Sequence, residues 1–335
     1  MKVAVLAPVA WRTPPRHYGP WEQIASNIAE GMVKLGAEVT LFATGDSITA
    51  ATLDAVCPTG YEEDRTQDAK VLECLHISNL MEKAGEFDII HNNFDFLPLT
   101  YSGLIKTPVI TTIHGFSSPR IIPVYKKYND KGYYVSISNS DRSPELDYIA
   151  TVYNGIDTRD FHFYDEPDDY LLYFGRIHPD KGTAEAISIA QKSKRKLVIA
   201  GIVQDADYFK EKVEPQLSED VVYIGHAGPE KRRELLGRAS ALLHPINFNE
   251  PFGLSVAEAM LCGTPVIAFN RGSMPELIRD GQTGFLVNTV DEAVNAVARL
   301  AQICRADCYG WANSQFSSGK MVADYWELYK RILNK

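Results

Sequence analysis

The sequence is short of several things, and each shortage excludes a class of protein. No stretch approaches the roughly 18 consecutive apolar residues that a membrane span needs, so no transmembrane segment is expected. Cysteine is scarce. Cys57, Cys74, Cys262, Cys304 and Cys308 are odd in number and show no C-x-x-C spacing, which argues against a disulfide scaffold or a zinc ribbon. Positive charge is in deficit: 34 Lys and Arg against 43 Asp and Glu give a net charge of −9. A general nucleic-acid binder carries a basic footprint, so no nucleic-acid partner is expected, although the deficit leaves room for a local phosphate pocket. The turn after the first apolar run, "APVAWRTPPRHYG", lacks G-x-G-x-x-G, which disfavours an NAD-dependent dehydrogenase. No DxD-type metal site is evident, so neither a metal nor another cofactor is expected. "MKVAVLAPVAWRTPP" contains a short apolar run without a small-residue cleavage site. It reads as a buried strand rather than a signal peptide, and the cytoplasm is the expected location.

What the chain does have is a repeated rhythm. Its 335 residues are long for one core and suit two domains. Short β-branched runs ("KVAVLA", "EVTLFA", "FDIIHNN", "TPVITTIH", "GYYVSIS", "IATVYNG") alternate with helical patterns such as residues 22–35. This is the signature of parallel strands covered on both faces. The rhythm breaks at "NGIDTRDFHFYDEPDDY", residues 154–170, which reads as a linker. A second series follows: "YLLYFGR", "KLVIAG", "VVYIG", "ALLHPI", "TPVIAF" and "GFLV". The expected fold is therefore α/β, with two Rossmann-like, doubly wound domains facing across a cleft. The expected boundaries are 1–155 and 156–318, with a closing helix at 319–335. In such sheets ligands bind beyond the carboxyl ends of the strands.

Two segments at expected strand ends carry chemistry. In "YFGRIHPDKG", Gly175 and Arg176 end a strand, and Lys181 and Gly182 lead into a helix for which Thr183 is the expected N-cap. A guanidinium and an ammonium so placed could converge on one anion, and both suit a diphosphate; two solvated cations beside a turn is the plainer alternative. In "NEPFGLSVAEAM", Glu250 lies in a loop and Glu258 in a helix predicted over 254–261, closed by Cys262-Gly263. The open N–H groups near Gly253 to Ser255 form a second anion cradle. Two carboxylates here could be an acid/base pair, a metal site, a ligand clamp, or a solvated helix residue beside a loop charge. A glycosidase pair flanks the bond from two sides and a metal needs further ligands, which favours acceptors for vicinal hydroxyls.

These motifs resemble a known family. "EPFGLSVAEAM" resembles the E-x7-E motif of retaining glycosyltransferases of family 4, which have the GT-B fold. "YFGRIHPDKG", "NGID", "RGSMPELIRDGQTGFLV", "TTIHG" and "VSISNSDR" resemble further segments of that family in order along the chain. The N-terminal loop together with "TLFATGDS" resembles a small bacterial subgroup near the avilamycin glycosyltransferase and the tetrahydrobiopterin glucosyltransferases.

The resemblance implies transfer of a sugar from a nucleotide-diphosphate sugar, a UDP-sugar first, to a hydroxyl of a small-molecule or glycan acceptor. The N-terminal domain would take the acceptor and the C-terminal domain the donor. Arg176 and Lys181 would hold the diphosphate, Glu258 the ribose hydroxyls and Glu250 those of the transferred sugar. The backbone at Phe252, Gly253 and Leu254 would line the donor site, with Gly175 and Gly19 beside it and Gly225 and His226 near the base. His114 would face the reacting sugar, whereas His91 reads as structural. The implied reaction retains the anomeric configuration, needs no metal and lets the leaving diphosphate take the acceptor proton.

One loop departs from the family pattern. Where a Gly-Gly pair is usual, this chain has Gly19-Pro20, and Pro20 lacks one backbone donor. The loop supplies Arg16, His17, Tyr18 and Trp21 instead, which could read an anionic or ring-bearing acceptor or simply order against the wall. The alternatives to transfer are a GT-B epimerase or phosphorylase, and a non-enzymatic nucleotide-sugar sensor.

Overall fold

The computed structural model describes residues 1–116 and 118–334. They form two compact units, one made of Met1–Gly155 with the segment from Ser318 onward, the other of Ile156–Ser317.

The first unit is built on a parallel sheet of seven strands: β1 (Lys2–Leu6), β2 (Glu38–Phe42), β3 (Thr52–Asp54), β4 (Ile89–Asn92), β5 (Val109–Ile113), β6 (Tyr133–Ser136) and β7 (Tyr148–Thr151). Their order is β3-β2-β1-β4-β5-β6-β7. The central strands β4 and β5 are buried at every residue, as expected of β-branched runs covered on both faces. The helix Pro20–Lys34 buries Ile24, Ala25, Ile28, Ala29 and Met32 at helical spacing. Pro20 takes the first turn, where a missing N–H leaves no helical bond unmade.

The C-terminal helix Ser318–Leu333 packs against that helix and buries Met321, Val322, Tyr325, Leu328, Tyr329 and Ile332. Approach is close at Gly31, where an added Cβ would lie 2.2 Å from Val322 Cγ2. A buried polar chain fixes the contact: Tyr329 hydroxyl to His91 Nδ1 (2.5 Å), His91 Nε2 to Thr112 Oγ1 (2.7 Å) and Thr112 to Tyr325 (2.6 Å). His91 is thus a structural residue, as the sequence suggested.

The second unit carries six parallel strands: β8 (Leu171–Phe174), β9 (Leu197–Ala200), β10 (Val221–Tyr223), β11 (Ala241–His244), β12 (Val266–Phe269) and β13 (Gly284–Val287). Their order is β10-β9-β8-β11-β12-β13. Both sheets therefore run outward from their first strand, then reverse. The reversals fall between β1 and β4 and between β8 and β11, the places where such sheets bind ligands.

The stretch read as a linker is more ordered than its composition suggests. Ile156 bridges to Ser317 and donates to the Phe316 carbonyl, Asp157 caps a short turn at Thr158–Asp160, and Phe161 is buried. Its few apolar side chains seat it on the second unit despite the surrounding charge. Among the described residues, no helix is long and apolar enough to cross a membrane.

Candidate functional site

The reversal between β8 and β11 gathers most of the expected residues of the second unit. Beyond β8, Gly175-Arg176 leads to a short turn at Pro179–Lys181 and then to the helix Thr183–Ser193. Gly182, in the left-handed conformation, takes the N-cap; Thr183 does not cap the helix as expected but is its first, buried residue. The turn sends Lys181 toward the loop that follows β11. Its Nζ lies 2.5 Å from Glu250 Oε2 and 4.6 Å from the centre of the Phe248 ring. His244, at the end of β11, has Nε2 at 3.7 Å from the same carboxylate oxygen.

Glu250 is thereby fixed as an anion. Burial alone would raise its carboxyl, but His244 and the Lys181 ammonium outweigh that and bring it down to about 2. A group ionised throughout the neutral range is no general acid. It remains a strong acceptor for hydroxyls and a partner for a cation.

The helix after the loop spans Leu254–Leu261, as its spacing predicts, with Gly253 at the N-cap in the left-handed region (φ 95°). The N–H groups of Leu254 and Ser255 have no acceptor among the described residues, so the helix start is open to an anion. Phe252 offers this region only its backbone. Its ring is buried edge-on against Phe316, and its carbonyl accepts the Ser273 hydroxyl at 2.5 Å.

Glu258 sits one turn into the helix with its side chain 6% exposed. Oε1 pairs with Arg232 from the helix Pro229–Arg238, whereas Oε2 is buried without a partner among the described residues. Burial raises the Glu258 carboxyl and nearby Asp160 adds to this, with Arg232 pulling the other way. Arg232 was missed by the sequence reading. It is one of three successive basic residues, and nothing in their order shows which faces inward.

Other expected donor residues are less gathered. The Arg176 guanidinium bonds the Gln204 side chain, so Arg176 and Lys181 hold separate partners rather than one. Gly175 donates to the Ala200 carbonyl at 3.0 Å and remains at the end of β8. Gly225 and the exposed His226 lie beyond β10, the edge strand, where the Gly225 carbonyl accepts from Gly201 at 2.9 Å.

A second cluster lies in the first unit, at the ends of β4 and β5. His114 follows β5 and is buried. Its Nε2 meets Asn93 Oδ1 at 3.1 Å, and its ring stacks on Trp21 with centroids 5.6 Å apart. Burial lowers the His114 imidazole to about 3, so it is neutral at physiological pH. Its Nδ1 and the Asn93 amide nitrogen are buried without partners among the described residues. Of the loop residues expected to read an acceptor, Trp21 adjoins this cluster. Arg16 pairs with Glu63 at 2.6 Å and with Asp46 at 2.9 Å. Tyr18 is 48% exposed and meets Trp11 edge-on, and His17 is exposed beside it. Gly19 caps the helix start. Glu22 accepts the Trp11 N–H at 3.3 Å, and burial raises its carboxyl to about 7. Among the described residues, no group of three or more His, Cys, Asp or Glu is placed to hold a metal ion.

Comparison with known proteins adds to this geometry. Residues 156–306, nearly all of the second unit, match the family described as Glycosyl transferases group 1. An uncharacterized glycosyltransferase of Methanocaldococcus jannaschii is 24% identical over 341 residues, covering 86% of this chain and 85% of that protein. The chain spans under half the length of the next curated relatives it matches. AviGT4, a glycosyltransferase involved in avilamycin A biosynthesis, superposes with a TM-score of 0.74 at 24% identity, covering all of this chain and 98% of that one. Anabaena HepE in complex with UDP and glucose gives 0.74 at 19% identity, covering 98% and 99%. Both likenesses concern the fold. The protein thus carries a Glycosyl transferases group 1 domain at residues 156–306 within a GT-B fold.

Proposed function

We propose that the protein moves a glycosyl group from a nucleoside-diphosphate sugar to a hydroxyl acceptor, with retention of anomeric configuration. The observation that carries this reading is the set of groups at the second unit's strand reversal: the Glu250 carboxylate, the Lys181 ammonium beside it, an open helix start and the Glu258 carboxylate. A nucleotide sugar presents hydroxyls, two phosphates and hydroxyls again, in that order. Glu250 grips the sugar end, Lys181, Arg176 and the helix start hold the diphosphate, and Glu258 takes the ribose. UDP-sugars are the first donors to test, because HepE, which shares the fold, was solved with UDP and glucose.

In the reaction, the bond from the anomeric carbon to the diphosphate oxygen breaks and a bond to the acceptor oxygen forms. The acceptor proton passes to the departing phosphate. Glu250, ionised down to about pH 2, contributes no proton. Negative charge grows on the leaving phosphate, and fixed cations and helix N–H groups stabilise it, a form of assistance worth about 10²–10³ in rate per donor group. These cations fill the role a metal plays elsewhere, so activity is expected to survive chelation. The first unit on this reading takes the acceptor, and His114, neutral and with Nδ1 unpartnered among the described residues, is proposed to hydrogen-bond a sugar hydroxyl.

The test is nucleoside diphosphate release from a panel of nucleotide sugars, with and without hydroxyl acceptors and with EDTA. Release that depends on an acceptor, with a product of unchanged anomeric configuration by NMR, is expected. Sugar isomerisation without nucleotide release would indicate an epimerase, an inverted product would remove retention, and loss of activity in EDTA would remove metal independence.

A further inference from the structure

Arg232 leaves two buried atoms unexplained. Glu258 Oε2, an acceptor, and Arg232 Nε, a donor, are both buried without partners among the described residues, although the two side chains pair through Glu258 Oε1. Orphaned buried polar atoms are rare in folded proteins and call for a reason. Here they belong to two side chains that pair with each other and are of opposite kind, and Glu258 lies one turn from an open helix start. A ribose diol both donates and accepts, so it can satisfy both.

The position of Arg232 is itself enforced. Its guanidinium lies 5.7 Å from the centre of the Phe161 ring and 5.6 Å from that of Phe174. A planar, weakly hydrated cation suits contact with two aromatic rings, and a lysine ammonium would match them less well. Phe174 ends β8 and Phe161 is buried in the segment that opens the second unit, so the rings are anchored in the fold rather than on a mobile tip. Without this cation, Glu258 would be a buried carboxylate facing the nearby charge of Asp160, and it would take up a proton. A neutral carboxyl accepts from a hydroxyl more weakly than a carboxylate does.

We propose that Arg232 is a positioning residue for the nucleoside end of the donor: clasped by Phe161 and Phe174, it holds one oxygen of Glu258 and leaves the other presented to a ribose hydroxyl. This rests on the donor reading above.

The experiment measures Kd for UDP, ADP and GDP and for their 2′,3′-dideoxy counterparts by calorimetry. It compares wild type with Arg232→Ala, Arg232→Gln and Arg232→Lys, each checked for folding by circular dichroism and thermal melting. Wild type is expected to prefer the ribonucleotide over its dideoxy analogue by about tenfold or more. Arg232→Ala and Arg232→Gln should close most of that gap by weakening the ribonucleotide alone, and Arg232→Lys should restore part of it. Should Arg232→Ala fail to fold, the Gln and Lys variants, which keep much of the aliphatic stem, decide. An unchanged gap overturns the proposal. Equal weakening of both ligands would show contact with base or phosphate, and tighter ribonucleotide binding would make Arg232 a plug; either overturns it. If wild type binds none of the three ribonucleotides, the donor reading itself fails and this proposal with it.

Discussion

Lys181 Nζ lies 2.5 Å from Glu250 Oε2, and both side chains are largely withdrawn from solvent. Removing one member of such a pair strands a buried charge, at about 3–5 kcal/mol. Lys181→Met should therefore lower stability and reduce turnover by at least about a hundredfold. Combining Lys181→Met with Glu250→Gln removes both charges. Urea unfolding should then return to within about 1 kcal/mol of wild type, since well-matched neutral replacements are often tolerated. Turnover should stay low. If the double variant regains both stability and activity, the pair serves the fold and not the donor.

The loop bearing Glu250 leans on Gly272. Gly272 has φ +55°, and a Cβ there would come 2.4 Å from both the backbone N and O of Glu250. Gly281 has a similar φ of +72° but open space around it. Both alanine variants should lose about 1–2 kcal/mol for left-handed backbone. Only Gly272→Ala should also displace Glu250, costing at least about tenfold in donor affinity, since moving one carboxylate forfeits a charge-assisted hydrogen bond. Calorimetric titration with UDP-glucose separates the two. Equal affinity in both variants would show that the loop yields without consequence.

The first unit should lose stability as pH falls, with a slope set by its buried histidines. Burial holds His76 at about 4 and His91 and His114 at about 3, against 6.5 when exposed. Below about 6.5 the unfolded chain binds three protons that the folded unit refuses, so acid favours unfolding. Two carboxyls act the other way: burial raises Glu22 to about 7 and Asp95 to about 6. Between about pH 6 and 4.5 these five groups leave a balance of roughly one proton, or about 1.4 kcal/mol per pH unit. The balance grows below about 4.5, where unfolded carboxyls begin to protonate as well. His91→Gln removes one of the three histidines and should flatten the urea-derived slope by about 1.4 kcal/mol per pH unit in that window. An unaltered slope would mean that His91 is charged in the native state.

Much of this was legible in the chain, for local reasons. Strands buried on both faces announce themselves as continuous apolar runs, and β4, β5, β8 and β11 fall where such runs were read. The helix Leu254–Leu261 was legible because Gly253 and Cys262-Gly263 bracket it, which also set Glu258 one turn inside. What escaped depends on partners distant in sequence. Arg16 reads as a free cation in "PPRHYGP", but its carboxylates, Asp46 and Glu63, stand 30 and 47 residues away. Arg232 is indistinguishable from Lys231 and Arg233 until the helix Pro229–Arg238 is laid against Glu258. The charged stretch at residues 154–170 concealed Phe161, whose burial only packing reveals. Periodicity reports which face is apolar; it does not report which charge meets which.

The contact between the C-terminal helix and the first sheet offers the last test, because two of the three hydrogen bonds of its polar chain reach the helix, with unequal weight. His91 Nδ1 has Tyr329 as its partner, whereas Thr112 has both His91 and Tyr325. Tyr329→Phe strands a buried ring nitrogen and should cost about 1–3 kcal/mol, the penalty for an unsatisfied buried polar group. Tyr325→Phe leaves Thr112 still bonded to His91, so only the net value of one hydrogen bond is lost, about 0.5–1.5 kcal/mol. Both variants keep their rings and hence the apolar packing of Ser318–Leu333, so any difference isolates the polar links. Chemical denaturation of the two single variants and the double reads it directly. Tyr325→Phe proving the costlier change would reverse the order of the chain and make Thr112 its pivot in place of His91.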